Sequence, residues 1–491
     1  MTDAIVQPRL MRGLRDYLPE PMQARQWIID TIRRVYELYA YVPLGTPAME
    51  YLDVLTGTAG ESSDKELFVV QGPDEERLGL RFDQTVSLAR VVAQYPDLPR
   101  PFRRYQVQPV WRCDNPYEKR GRFREFIQFD IDAVGVESAL ADLEMITAMC
   151  DTMSALHTGP YRVRVSSRRV LTLLLKYARI PEARAADVFR VLDKLDKLGH
   201  EKVRLELTAG YKDESGSPVP GLGLGGEQVD RIDTFLAACG TADRQRAGEG
   251  VQRRDAALAR IAELFREVDG AEAELAALAG LSRQLAALGY GDDRVVFDFS
   301  IARGLAYYTG TVFETELCEL PEFGSVCSGG RYDDLVARFL GEKVPAVGTS
   351  VGVDRMLVAL LELGRAPLRK ATAQVLVTTL DDALTDDYLA MTYELRRAGV
   401  RTEMYHGMFK RFGKQVQYGD RYEIPILVVC GSDEKARGVV QLKDMAIGRQ
   451  LAAEKKLADK SQWRAARPGQ FDVPRGELVA AVRKLLAEIG A

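Results

Sequence analysis

The sequence predicts an α+β protein: an antiparallel sheet flanked by helices, interrupted by a helical insertion and followed by a small α/β domain. Three observations carry this. Between about 66 and 135, short β-rich runs (LFVVQ, LGLRF, YQVQPVW, FIQFDIDAVG) succeed one another with no regular strand–helix repeat, which favours antiparallel pairing over a doubly wound sheet. From about 180 to 290 the chain is helical and charge-dense, and strands then resume at RVVFDFS and TVFETEL. From Ala373 onward, strand and helix alternate, as a small α/β domain requires.

In order, residues 22–39 carry apolar residues at helical spacing behind Pro19 and Pro21, predicting an amphipathic helix. The β-rich runs follow, then a helix from Ser138 onward. The insertion includes a long Ala/Leu/Glu/Arg pattern from Arg253 to Leu288 and a Gly/Ser/Pro loop at 214–226. In the last domain AQVLVTT, Val400–Tyr405 and IPILVVCG read as strands, and Asp386–Arg397, Arg411–Tyr418 and Glu477–Ile489 as helices. These segments give the expected division: 1–180 and 291–370 as two parts of one domain, 181–290 as the helical insertion, and 371–491 as the α/β domain with its tail.

Composition narrows the function. The chain has 491 residues, 28% charged and 46% hydrophobic, the mix of a globular protein of about three domains. No apolar run approaches the ~18–20 residues of a membrane span, and the first thirty residues lack a signal-peptide pattern, so the expected compartment is cytoplasmic. Six cysteines without a C-x-x-C pair exclude a disulfide scaffold and argue against structural zinc. Only His157, His200 and His406 are present, a poor supply for histidine-based catalysis or metal binding. The net charge of −4 conceals basic regions: 14 Lys/Arg against 8 Asp/Glu over 401–470, and seven against three over 101–125.

One nucleotide-binding pattern is a decoy. GLGLGG at 221–226 matches G-x-G-x-x-G, but it follows polar, turn-forming KDESGSPVP instead of the buried strand that a dinucleotide site needs. It reads as a loop leading into a helix at Glu227.

The informative stretch is FRRYQVQPVWRCDNPYEKRGRFREFIQFDIDAVG, residues 102–135. It fits a hairpin with its loop around Asn115–Gly121, Arg112 ending the first strand. A period of two places Phe126, Gln128, Asp130 and Asp132 on one face of the second. An aromatic, an amide and carboxylates on one face suit a ligand better than an apolar core. Guanidinium groups beside them match phosphate oxygens.

This segment resembles motif 2 of the class II aminoacyl-tRNA synthetases, in wording closest to the histidyl-tRNA synthetase family. RGLRDYLPE (12–20) with Pro47 in GTPAME resembles the family's opening and motif 1, and LRFDQTVSLAR (80–90) its amino-acid block. ARGLAYYTGTVFE (302–314), and SGGRYDDLV (328–336) with PAVGTSVGVDR (345–355), resemble the histidine signatures and motif 3. GKQVQYGDRYEIPILVVCG (413–431) and GVVQLKD (438–444) resemble the anticodon-binding domain. Asp83 and the Asp114–Asn115–Pro116 variant look closest to the eukaryote-like branch.

The resemblance implies ligation of L-histidine to tRNA(His) through a histidyl-adenylate. ATP is the co-substrate, Mg2+ bridges its phosphates, and the enzyme is a homodimer. Arg112 and Arg303 match the arginines at the α-phosphate, while Phe126 and Arg355 match the groups on the two faces of adenine. Arg122 is a candidate for the terminal phosphates and Asp114 belongs to the same ATP-binding set. Asp83, Thr85 and Gln128 match the positions implied for the α-ammonium, and Gln84 belongs to the same histidine-binding set. Asp132 and Tyr308 match the partners of the imidazole, with Tyr307 and Tyr332 lining the pocket. The resemblance implies acidic ligands for that Mg2+, but assigns none of them to a particular residue.

The chain departs from the family at Ala306, where an Asp usually stands, and in the loop CDNPYEKRG. The rival from another class is a non-catalytic, histidine-sensing regulatory subunit of ATP phosphoribosyltransferase. The anticodon-like domain and the retained Arg112, Arg303 and Arg355 speak against it, and ARGLAYY and SGGRYDD speak against a ligase for proline or threonine.

Overall fold

The structure, a computed structural model, describes residues 6–56, 67–117, 120–213, 216–239, 254–301, 307–407, 411–447 and 469–490. It divides into two compact units, Met1–Asp16 with Arg25–Ala366, and Tyr17–Ala24 with Pro367–Ala491.

The first unit is built on an eight-stranded sheet. Its spatial order is Val42–Pro43, Phe102–Trp111, Glu125–Val134, Ala346–Gly352, Ser325–Arg331, Thr311–Leu317, Tyr161–Ser167 and Val295–Phe297. The interior pairings are antiparallel and only the two edge strands pair in parallel, matching the predicted α+β class. Helices Ala139–Ala155 and Val353–Glu362 pack on the sheet. The first of these starts as predicted, with Ser138 Oγ accepting from the Leu140 N–H at 3.2 Å. In the core, Tyr36 meets Phe129 edge-on with ring centroids 5.2 Å apart.

Local departures from the sequence reading have simple causes. The first helix is Pro19–Leu38, beginning three residues earlier than predicted, because prolines fit a first turn whose N–H groups have no intrahelical partner. The pattern from Arg253 to Leu288 forms two helices, Arg254–Leu264 and Ala271–Ala287, with Gly270 at φ +85° immediately before the second. Within the predicted Gly/Ser/Pro loop, Pro218–Pro220 pairs with Gly210–Lys212. The decoy glycines lead into a helix at Gly226. The N–H groups of Leu222, Gly223 and Leu224 donate to the carbonyls of Glu206, Thr208 and Leu207, so they cap a preceding helix and are not directed at a phosphate.

The second unit has a five-stranded mixed sheet ordered Thr402–Met404, Val375–Val377, Ile426–Val429, Val439–Asp444 and Gln470–Pro474. Thr385–Arg397, Phe412–Arg421 and Leu478–Glu488 are its principal helices, each within a few residues of the expectation. Val375, Tyr388, Leu395, Val428 and Val482 are buried in one core cluster. Among the described residues, no helix is long and apolar enough to cross a membrane.

Candidate active site

The site is built on the predicted hairpin, whose strands pair from Phe102 opposite Val134 to Trp111 opposite Glu125. Arg112 continues the ladder, its N–H donating to Arg124 O at 2.9 Å, while its Nε donates to Phe82 O at 2.9 Å. That brace holds the guanidinium over the Phe126 ring, 5.2 Å from the centroid. The opening block packs against the hairpin's end: Arg124 N–H donates to Gly13 O at 2.8 Å, and the Arg15 guanidinium lies 4.7 Å from the Phe123 centroid.

Two buried side chains tie the amino-acid block to the hairpin. Arg81 donates to Thr46 O (2.7 Å), Pro47 O (3.1 Å), Pro109 O (2.9 Å) and Gln108 Oε1 (3.0 Å). Gln84 Nε2 donates to Gln108 O and Gln128 O, both at 2.9 Å, thereby joining both strands. At the other end, Asp354 accepts from the Ile127 N–H at 2.6 Å and pairs with Arg25 at 2.8 Å, fixing the helix that carries Arg355. Arg355 Nη2 in turn donates to Phe323 O. Gly121, at φ +66°, passes so close to Arg355 that a Cβ would lie 2.6 Å from its Cα.

These elements enclose two adjoining cavities. The larger, about 350 Å³, is lined by Arg112, Asp114, Arg122, Phe126 and Arg355, the whole predicted ATP set, together with Gln128 and Tyr308 of the histidine set. The smaller, about 40 Å³, is lined by Thr85, Asp132, Tyr307, Tyr308 and Tyr332, and also by Asp130. Tyr308, Ser328, Gly329 and Ser350 belong to both walls. Asp83 and Gln84 line neither cavity. Gln84 is the hairpin clamp just described, and Asp83 Oδ1 accepts from the Val86 N–H at 3.1 Å at the start of helix Thr85–Gln94. Arg303 and Ala306 lie outside the described residues.

The smaller cavity concentrates buried charge. Asp132 Oδ2 lies 2.8 Å from Arg104 Nη2, and its Oδ1 accepts from the Tyr332 hydroxyl. Burial pushes its carboxyl above the usual range, against the opposing pull of Arg104 and Tyr332. Asp130 is pushed up to about 7, chiefly by burial, with Arg104 lowering it and Asp132 adding to the rise. Asp83 is also raised by burial, opposed by the Val86 N–H and Arg112. The tyrosines form one aromatic group, Tyr307 lying 5.3 Å from Tyr332 in a stacked pair and 5.1 Å from Tyr308 edge-on. Burial raises all three phenols, which stay neutral and able to donate.

Arg104, Arg81 and Ser350 escaped the sequence reading. The signal for Arg104 lies in the strand it occupies, since Arg104, Gln106 and Gln108 alternate along it and Arg104 pairs with Asp132 in register. Polar residues on one face of a central strand require partners, which are the carboxylates of the next strand.

Comparison with known proteins agrees with this arrangement. A family model described as Histidyl-tRNA synthetase matches residues 13–356, and one described as Anticodon binding domain matches residues 374–485. Histidine--tRNA ligase of Paracoccus denitrificans is 41% identical over 497 residues, covering 97% of each chain. The enzyme of the same name from Rhizobium meliloti is 41% identical, covering 98% of this chain and 96% of its own. Among solved structures, histidyl-tRNA synthetase from Nostoc sp. PCC 7120 superposes with a TM-score of 0.79 at 31% identity, covering 98% of this chain and all of its own. The hairpin, the paired cavities and the C-terminal α/β unit are therefore those of a member of the histidyl-tRNA synthetase family.

Proposed function

We propose that this chain ligates L-histidine to tRNA(His). The histidine carboxylate attacks the α-phosphorus of ATP; a carboxyl–phosphorus bond forms, the bond to the β-phosphate oxygen breaks, and pyrophosphate leaves. A hydroxyl of the tRNA's terminal adenosine then attacks the adenylate carbonyl and AMP leaves. Substrate supplies both nucleophiles, so the protein's work is alignment and charge stabilisation at phosphorus. The observation that carries this reading is the pair of adjoining cavities, one lined by arginines and Phe126, the other by carboxylates and tyrosines.

In this reading Arg112 and Arg303 hold the α-phosphate, Phe126 and Arg355 flank adenine, and Arg122 and Asp114 serve the rest of ATP. Asp83, Thr85 and Gln128 receive the α-ammonium, and Asp132 and the three tyrosines enclose the ring, with Gln84 acting through the hairpin. Mg2+ would come with ATP and offset its phosphate charge, and Asp114 and Glu314, which line the larger cavity, are the carboxylates there that would hold it. Among the described residues no cluster of three or more His, Cys, Asp or Glu side chains could hold a metal by itself.

Residues 1–180 and 291–370 serve as the catalytic domain, 181–290 as its insertion and 371–491 as the anticodon-binding part, working as a cytoplasmic homodimer. The decisive experiment is ATP–pyrophosphate exchange with each of the twenty amino acids. Histidine alone should drive it. Exchange driven by another amino acid would refute the specificity, and none at all would favour the regulatory role.

A further inference from the structure

The two carboxylates of the smaller cavity are not equivalent. Asp132 already has Oδ1 engaged by Tyr332 and Oδ2 beside Arg104. Asp130 is only 3% exposed, lines the same cavity, and leaves its Oδ1 without a hydrogen-bond partner. A buried carboxylate with an unpartnered oxygen is costly, and a ligand in the cavity that Asp130 lines can supply the missing donor.

The groups around Asp130 fix the charge balance. Gln106 pairs with it in register across the hairpin, and Ser350, from the strand on its other side, hydrogen-bonds the carboxyl through its hydroxyl and lowers its pKa. Arg104, Arg81, Asp132 and Asp83 act on it as charges. Tyr36, Tyr308 and Cys327 also face it, but burial keeps all three neutral. Arg81 donates to carbonyl and amide oxygens and its charge acts first on Glu50, so Arg104 is the arginine seated against the Asp130 and Asp132 pair. With both carboxylates ionised, the cavity wall carries a surplus negative charge.

We propose that Asp130 is the acceptor for an imidazole N–H and that histidine binds there as the imidazolium, its ring and the Asp130 carboxylate together holding one proton. This rests on the reading that the pocket binds histidine. Asp132, with Tyr332 and Arg104, then forms the fixed wall that orients the ring, and Asp130 sets its protonation state.

Proton uptake on binding tests this. At pH 8 a free imidazole, with an ordinary pKa near 6.5, is largely neutral. The Asp130 carboxyl, pushed up to about 7, is largely ionised. The complex must therefore take close to one proton from solvent. Calorimetric titration of histidine into the full-length protein, in two buffers of different ionisation enthalpy, should show close to one proton more for the wild type than for Asp130→Asn. The wild-type Kd should rise severalfold, towards tenfold, between pH 7.5 and 8.5, and that of Asp130→Asn less than twofold. Equal uptake in the two proteins would overturn the proposal, as would negligible uptake in the wild type, which decides the matter alone if the variant does not fold. Failure of the wild type to bind histidine would instead refute the proposed function.

Discussion

Arg104→Met offers the most direct probe of the buried charge cluster. Arg104 has no exposed surface, and its Nη2 sits 2.8 Å from Asp132 Oδ2. Methionine retains much of the side chain's bulk and removes the charge. Removing one partner of a buried ion pair costs about 3–5 kcal/mol, most of it from the charge left behind. The cost should depend on pH. Asp130 and Asp132 are carboxyls raised in the folded protein, so the folded state holds protons that the unfolded chain releases near pH 4. Stability from such groups is greatest at low pH and falls as pH rises towards the folded pKa, by up to about 1.4 kcal/mol per pH unit for each group. Loss of Arg104, which lowers both, extends that decline to higher pH. Urea unfolding followed by tryptophan fluorescence, to which Trp111 on the same hairpin contributes, should therefore show a deficit of about 3–5 kcal/mol at pH 8. At pH 5.5, where the Asp130 carboxyl is largely protonated, the deficit should be smaller, by about 1–2 kcal/mol. A deficit equal at the two pH values, or below about 1 kcal/mol at pH 8, would refute an uncompensated carboxylate as its cause.

Arg112→Ala should slow ATP–pyrophosphate exchange by about 10²–10³-fold, as loss of one preorganised donor to developing charge does, and leave histidine Kd within a few-fold. Arg303→Ala should likewise lower activation far more than histidine binding; an equal loss of both would show that its role is not at phosphorus. Gly348→Ala places a methyl group against Asp132 Oδ1, so it should cost about 1–3 kcal/mol in thermal unfolding and raise KM for histidine more than it lowers kcat. Affinity for tRNA in filter binding should fall steeply with salt, and a salt-independent affinity would count against a basic 401–470 surface.

The hairpin was legible because two independent signals agree there. Alternation fixed the face of Phe126, Gln128, Asp130 and Asp132, and the loop residues fixed where the chain turns. Arg104 was not legible for a related reason. Arg103 and Arg104 are adjacent, so only the partner strand decides which is buried. Arg103 reaches Tyr39 O at 2.5 Å and pairs with Glu144 at 2.7 Å, while Arg104 goes to the interior. The order of the sheet was equally hidden. Ala346–Gly352 inserts beside the hairpin from more than two hundred residues away and brings Ser350 opposite Asp130. No local pattern encodes such a pairing. The break at Gly270 was missed because an apolar stripe persists on both sides of it, and the glycine needed for φ +85° is also tolerated within helices.

The clamp formed by Gln84 has a further consequence. One side-chain amide holds a carbonyl from each strand of the hairpin, 2.9 Å from both, so the stretch 80–90 and the hairpin that carries Arg112 move as one piece. Selectivity for the amino acid is thus not a detachable cassette. Transplanting residues 80–90 from a synthetase of different preference would carry a foreign brace into this hairpin and disturb Arg112 along with the pocket. Redesign of the preferred amino acid would have to exchange the two segments together.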